Sequence, residues 1–150
     1  MEDDKRLSTE ELLRLLFMES SLENLLRRSE TSVLTPAFSD YICALCAERG
    51  ETHERVIKRA NIEKSYGHQM FGGRRNPSRD MVLRLAFGFE LDYEGAQKLL
   101  KTARKSMLYP RVKRDLIVIY CLHHHYSVVE CELLLEQYKL PLLGEGNRNE

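Results

Sequence analysis

The stretch that decides the fold covers residues 52–92 and reads THERVIKRANIEKSYGHQMFGGRRNPSRDMVLRLAFGFELD. Its apolar residues recur at three- and four-residue intervals, which is typical of short amphipathic helices. Asn61 stands between the first two of these helices, and asparagine is one of the few residues that tolerate a left-handed turn. Ala60 leaves room for the helices to cross, and Ile62 fills the gap between them. The stretch therefore predicts two short helices that meet at a tight turn.

The same helical spacing extends over most of the chain, and runs of β-branched residues are short. We therefore predict an all-α fold. Capping boxes of the form S-x-x-E at Ser8 and Ser20 open two short N-terminal helices, and one at Ser127 opens a last helix that ends near Lys139. The other predicted helices span about 37–49, 53–60, 64–71, 79–89, 93–107 and 111–125.

These elements divide the chain into four predicted segments. Tyr109-Pro110 interrupts the helical pattern, because a residue before proline is displaced from the helical region of backbone space. A linker is predicted at Thr31–Pro36. The segments are an N-terminal helical extension (1–35), a central domain of about five helices (36–108), a C-terminal helical hairpin (109–143) and a flexible tail (144–150).

The charges are segregated along the chain although 23 basic and 23 acidic residues give a net charge of +0. Residues 1–48 contain 5 basic and 10 acidic side chains, residues 49–114 contain 16 and 7, and residues 115–150 contain 2 and 6. We call residues 49–114 the central basic segment. Such a segment is typical of proteins that bind nucleic acid or another polyanion.

The chain has no stretch near the roughly 18 apolar residues that a membrane span needs, and its acidic start is not followed by an apolar segment. We therefore expect a cytoplasmic protein without a membrane partner. Its four cysteines are then expected to stay reduced thiols.

The motifs in residues 37–95 match one known family. They are the Thr52-x-Glu54 opening, the alanine and isoleucine around Asn61, the Gln69-Met70 pair and the G-R-R-N-P-S run at 73–78. With these motifs the chain resembles the Cro/C1-type (XRE, lambda-repressor-like) helix-turn-helix family. The resemblance implies a lambda-repressor-like helix-turn-helix core of about five helices within 36–108, with extra helices on both sides. It also implies a sequence-specific DNA-binding transcriptional regulator that acts as a homodimer.

The resemblance also implies a role for individual residues. The helix at 64–71 would lie in the major groove of double-stranded DNA, because the second helix of this motif reads base edges there. Lysine donates to guanine acceptors, and glutamine pairs with adenine. The candidate base-reading residues are Lys64, Ser65, His68 and Gln69. The candidate contacts to the DNA backbone, which fix register, are His53, Arg74, Arg75 and Asn76.

A second basic feature is predicted on the helix at 93–107. Residues 98–114 hold seven basic side chains and no acidic one. Three interpretations stay open: a solvated helix face, a second phosphate contact, or a docking site for an acidic protein partner. The residues of this basic stripe are Lys98, Lys101, Arg104 and Lys105.

Metal and catalytic interpretations have little support. Cys43-x-x-Cys46 lies on a predicted helix, where Cys46 is most simply a small buried hydrophobic residue. Cys121 and the three consecutive histidines at 123–125 do not complete a conventional zinc spacing. Neither a phosphate-binding glycine loop nor a nucleophile near a base is evident in the sequence. We therefore expect no metal, no cofactor and no enzymatic activity.

Apolar residues in the C-terminal hairpin leave two alternatives open. Either they enlarge the core or they form a homodimer interface. The residues are Leu116, Ile119, Tyr120 and His123 on one helix and Leu133, Leu134 and Tyr138 on the other. These extra helices, together with departures from the family pattern at Gly67 and Phe71, also support an alternative function. It is a protein-interaction adaptor or antitoxin-like module that uses the helix-turn-helix scaffold to bind a protein.

Overall fold

The structure, a computed structural model, describes residues 7–28 and 37–144, and this part of the chain contains nine α-helices and no β-strand. The predicted all-α class is confirmed. The predicted linker at Thr31–Pro36 and residues 145–150 of the predicted tail lie outside the described residues. The helices are α1 (Thr9–Met18), α2 (Leu22–Arg28), α3 (Ala37–Arg49), α4 (His53–Arg59), α5 (Lys64–Phe71), α6 (Arg79–Gly88), α7 (Tyr93–Thr102), α8 (Lys113–His123) and α9 (Val128–Gln137).

The chain forms two compact units, Met1–Thr35 and Pro36–Glu150. In the first unit, the hydroxyl of Ser8 caps α1 by accepting a hydrogen bond from the Glu11 amide at 3.1 Å. The cap of α2 was predicted one residue too early. The hydroxyl that accepts from the Asn24 amide, at 3.3 Å, is that of Ser21, because α2 begins at the next residue.

In the second unit, the predicted helices are found, but two of them are shorter than predicted. The helix expected at 93–107 ends at Thr102, and the helix expected at 111–125 ends at His123. Arg104 and His125 have positive φ angles of 59° and 58°. A left-handed residue after the last turn ends a helix, and glycine is the usual sequence marker for it. Arginine and histidine do not mark a helix end in the sequence. The two helices were therefore predicted to extend beyond their actual ends.

Close packing of α4 against α5 and α6 depends on two glycines. A Cβ atom on Gly67 would lie 2.6–2.7 Å from side-chain carbons of Ile57, and one on Gly88 would lie 2.6 Å from the carbonyl oxygen of Val56. A larger residue at Gly88 would push the backbone of α4 away from α6, and one at Gly67 would require the Ile57 side chain to move. Gly67, which departs from the family pattern, is therefore explained by the packing of Ile57 on α5.

The hairpin of α8 and α9 packs against α6 and α7 and shares their core. The Ser127–Glu130 capping box at the start of α9 is present as predicted. The chain beyond α9 is also packed: Leu143 is buried, and the Gly144 amide donates to Asp80 at 3.0 Å. Gly144 is the first residue of the predicted flexible tail, and its amide is bound to α6 through Asp80.

No helix in residues 7–28 or 37–144 is both long enough and apolar enough to cross a bilayer.

Candidate nucleic-acid interface

The turn between α4 and α5 has the conformation that the sequence predicts. Asn61 adopts the left-handed conformation with a φ of 54°. Ile62 is buried, and its amide donates to the Ile57 carbonyl at 3.1 Å. The side chain of Glu63 then caps α5 by accepting from the Tyr66 amide at 2.7 Å. These contacts fix the direction in which α5 leaves the turn.

The helix α5 has one buried side and one accessible side. Tyr66, Gly67, Met70 and Phe71 are its buried residues. The four candidate base-reading residues lie on the other side, where Lys64, Ser65 and His68 are exposed and Gln69 is half-buried. An open groove runs along this side. Its lining residues are Glu63, Lys64, Ser65, His68, Gln69, Gly72 and Arg74.

Arg75 lies against α5 although it belongs to the loop that follows the helix. Its guanidinium carbon is 4.8 Å from the centroid of the Tyr66 ring, and its Nε donates to Oε1 of Gln69 at 3.2 Å. Arg74 and Asn76 are exposed on the same loop. The structure therefore places Arg74 in the lining of the groove and Arg75 against Gln69, a predicted base reader, whereas Asn76 is exposed further along the loop.

His53, the fourth predicted backbone contact, is half-buried at the start of α4. Its ring stacks on Phe71, with centroids 4.1 Å apart and an interplanar angle of 11°. Phe71 in turn meets Phe89 edge-on at 6.4 Å. Phe71, which departs from the family pattern, is thus part of an aromatic stack that joins α4, α5 and the end of α6. This stack could not be predicted from local sequence patterns, because the two rings of each pair are 18 residues apart along the chain.

The charges around the groove have mixed signs. The Nζ atom of Lys64 is 4.0 Å from a carboxylate oxygen of Glu54, and both side chains are well exposed. An exposed pair at this distance is weak and readily exchanged for another partner. Lys64 can therefore leave Glu54 for an anionic ligand at little cost.

The central basic segment presents less charge to solvent than its sequence indicates. Three of its arginines pair with carboxylates at buried or partly buried positions: Arg79 with Asp115 at 2.9 Å, Arg84 with Glu132 at 3.2 Å and Arg114 with Asp80 at 2.9 Å. Asp115 and Glu132 belong to the acidic C-terminal third, so the fold neutralises part of the segregated charge. The sequence could not show this because these partners are 36 and 48 residues away.

The predicted basic stripe is shorter than expected. Lys98 and Lys101 are exposed on α7, but Arg104 and Lys105 follow the end of the helix. The amide of Lys105 donates to the Leu100 carbonyl at 2.9 Å, which closes the turn after α7. The stripe therefore consists of two helical lysines and two loop residues.

The four cysteines are free thiols. Burial is the main reason that the pKa of Cys46 is raised, and Cys43 donates to the Phe71 carbonyl at 3.3 Å. Cys121 and Cys131 are fully buried, and their mutual hydrogen bond is the main reason that the pKa of Cys131 is raised. Within residues 7–28 and 37–144, no three histidine, cysteine or acidic side chains are grouped so that they could hold a metal ion.

The C-terminal hairpin carries several exposed apolar residues. Among the residues predicted to form an enlarged core or a dimer interface, Leu116, Tyr120, Leu133 and Tyr138 are 51%, 50%, 61% and 49% exposed. We call these four residues the hairpin face. The buried residues of the hairpin are different ones, among them Val118, Cys121, Leu122, Val128, Cys131 and Leu135. Ile119 and Leu134, which belong to the same predicted set, are partly buried and pack against the core. The predicted residues are therefore divided between the core and the surface.

Comparisons of the chain with protein-family models, with curated protein sequences and with solved structures found no match.

Proposed function

We propose that the protein is a sequence-specific DNA-binding transcriptional regulator of the Cro/C1 type, in which α4 and α5 form a helix-turn-helix. The observation that carries the proposal is the placement of Lys64, Ser65, His68 and Gln69 together on the accessible side of α5. An α-helix fits the major groove of B-DNA, and these side chains are of types that bond to base edges. The opposite side of α5 is anchored in the core, which gives the rigid support that base reading needs.

The loop after α5 would position the protein on the duplex. Arg74 and Asn76 are exposed there and can bond to phosphate oxygens. His53 would reach the backbone from the start of α4, where stacking on Phe71 fixes its ring plane. Lys98 and Lys101 are available for further phosphate contacts on α7.

We further propose that two copies pair through the hairpin face. Leu116 and Tyr120 are four residues apart on α8, and such i, i+4 rows form the ridges that pack into the grooves of another helix. Large apolar side chains that stay about half exposed, as these leucines and tyrosines do, are candidates for an interface. A two-fold dimer would read two half-sites on one face of the duplex.

The proposal assigns the protein no catalytic step, no cofactor and no membrane partner. It includes a cytoplasmic location, where reducing conditions keep cysteines as the thiols found here.

The hairpin face also favours a second candidate function, because the same patch would suit a different protein partner. In this case the chain is a protein-interaction adaptor or antitoxin-like module, and an acidic protein could bind the exposed lysines of α7. This function predicts no preference among DNA sequences.

Selection from a randomised DNA duplex library with the purified full-length chain tests the proposal. We expect an enriched motif, and we expect Lys64→Ala and Gln69→Ala to lose about 1–3 kcal/mol of discrimination each if the lost contact is a good base pair contact. Lys101→Ala is the matched control, because it removes an exposed lysine distant from the base-reading positions in sequence and should weaken binding without altering the motif. A library with no enriched motif would overturn the proposal in favour of the adaptor.

A further inference from the structure

Gln69 and Arg75 form a side-chain pair on the accessible side of α5. Arg75 Nε donates to Gln69 Oε1 at 3.2 Å. A guanidinium has donors only, so the amide end that faces it is the oxygen. The guanidinium also lies over the Tyr66 ring at 4.8 Å, and Tyr66 is anchored in the core. Two contacts therefore hold Arg75 beside the amide of Gln69.

This pair changes what Gln69 offers to a base. A glutamine that reads adenine uses both ends of its amide: the oxygen accepts from the N6 amino group and the nitrogen donates to N7. Here the oxygen already accepts from Arg75. It has a second lone pair, but an N6 amino group brought to it would meet the cationic N–H groups of the guanidinium, which are also donors.

Apart from this second lone pair, the groups that the pair can offer to a base are donors: the amide NH₂ of Gln69 and the outer N–H groups of Arg75. Guanine presents two acceptors, O6 and N7, in the major groove, whereas adenine presents one acceptor and one donor. A surface of donors fits guanine.

We propose that Arg75 is a specificity-determining residue that makes Gln69 select guanine over adenine. This inference depends on the proposed function, because it concerns the bases that α5 would contact. It replaces the phosphate contact that the sequence predicts for Arg75, and it assigns the chain a class of target: duplexes with a guanine at the base pair that Gln69 reads.

Selected motifs of the wild-type chain and of single variants test this inference. The base pair read by Gln69 is identified as the one whose preference disappears in Gln69→Ala. We expect guanine there for the wild-type chain, and in Arg75→Ala we expect the ratio of guanine to adenine to fall about tenfold, the amount that one good base contact supplies. Arg74→Ala is the matched control: it removes the adjacent arginine and should lower affinity on all sequences equally.

The outcomes separate the inference from the proposed function. Adenine at the Gln69 position of the wild-type motif, or an unchanged preference in a folded Arg75→Ala, would overturn the guanine assignment and leave the DNA-binding proposal intact. The wild-type preference can be read whether or not the Arg75 variant folds. Absence of any enriched motif would overturn both.

Discussion

At the scale of single residues, Arg84 connects three separate segments of the second unit. It is 2% exposed. Its guanidinium bonds to one carboxylate and to backbone carbonyls of residues that precede and follow α6 in the chain. The acceptors are the carbonyls of Ala60, Asn61, Leu143 and Gly144 and the carboxylate of Glu132. One side chain thus links the turn before α5 to the chain that follows α9.

Replacing Arg84 by methionine should strongly destabilise the protein. Methionine has a similar length but no donors, so it would leave four carbonyls and a carboxylate without this partner in a mostly buried place. Removing one partner of a buried ion pair costs about 3–5 kcal/mol. Urea denaturation followed by circular dichroism measures the free energy of unfolding, and the exposed Lys98→Met is the control. A loss below about 1 kcal/mol, the range of surface changes, would contradict this role.

Gly67→Ala should also destabilise, although alanine is favoured over glycine inside a helix by about 0.5–1 kcal/mol. The new Cβ would overlap Ile57, and overpacking of this kind costs about 1–3 kcal/mol. In an Ile57→Ala background the overlap is absent, so the same change should become neutral or stabilising. A double-mutant cycle of unfolding free energies tests this, and additive effects would show that the two residues do not compete for space.

The residue scale also shows how far a sequence can predict a site. Asn61, Ile62 and the four accessible positions of α5 follow from turn chemistry and helical periodicity, which are local. The partners of Arg84 cannot be predicted in this way, because Glu132 is 48 residues away. The local sequence also does not indicate which of the arginines is buried. The Arg75–Gln69 pair is similar: their spacing of six residues spans a helix end and a loop.

At the scale of elements, a bidentate pair holds α8 to α6. Arg114 donates to both carboxylate oxygens of Asp80, at 2.9 and 3.0 Å. Burial alone would raise the pKa of Asp80, but the hydrogen bonds and charge of Arg114, the Gly144 amide and the charge of Arg79 together lower it. The folded state therefore favours the ionised carboxylate.

This pair predicts a specific pH dependence. A carboxyl whose pKa is lower in the folded state contributes stability that is complete above its unfolded pKa, here 3.8, and is lost as the pH falls through the lower folded value. The difference in unfolding free energy between the wild-type chain and Asp80→Asn should therefore be constant near neutral pH and shrink below about pH 4. A difference that grows on acidification would contradict the assignment.

The hairpin face supports a prediction about assembly. If two copies pair through it, Leu116→Glu combined with Leu133→Glu places charge in the interface and should convert a dimer to a monomer. Both positions are at least half exposed, so the fold of each copy should persist. Sedimentation equilibrium measures the mass, and Gln137→Glu, at an exposed polar position of α9, is the control. A wild-type monomer at all concentrations would contradict the homodimer.

Helix boundaries at this scale were predictable where a capping residue marks them. Ser127 with Glu130 marks the start of α9, and Gly50 follows α3 with a φ of 63°. The end of α7 was not predictable, because Arg104 adopts a left-handed conformation that is unusual for arginine. The basic stripe was consequently predicted as longer than the helix that carries it.

At the scale of the whole molecule, the distribution of charge determines what the accessible side of α5 can do. The fold pairs Arg79, Arg84 and Arg114 with carboxylates inside the second unit. The exposed cations that remain beside α5 include Lys64 and Arg74. Phosphate binding by a few such side chains weakens strongly as salt rises and does not depend on the DNA sequence. Base reading adds discrimination between DNA sequences, which phosphate contacts do not provide.

The measurement that tests the central claim most directly is a fluorescence-anisotropy titration of the selected duplex against a scrambled duplex at about 50 and 200 mM salt. We predict that affinity for both falls with salt while the selected duplex keeps a clear preference, at least about tenfold, that Gln69→Ala removes. Equal binding of the two duplexes at both salt concentrations, unchanged in Gln69→Ala, would contradict the claim that α5 reads DNA sequence.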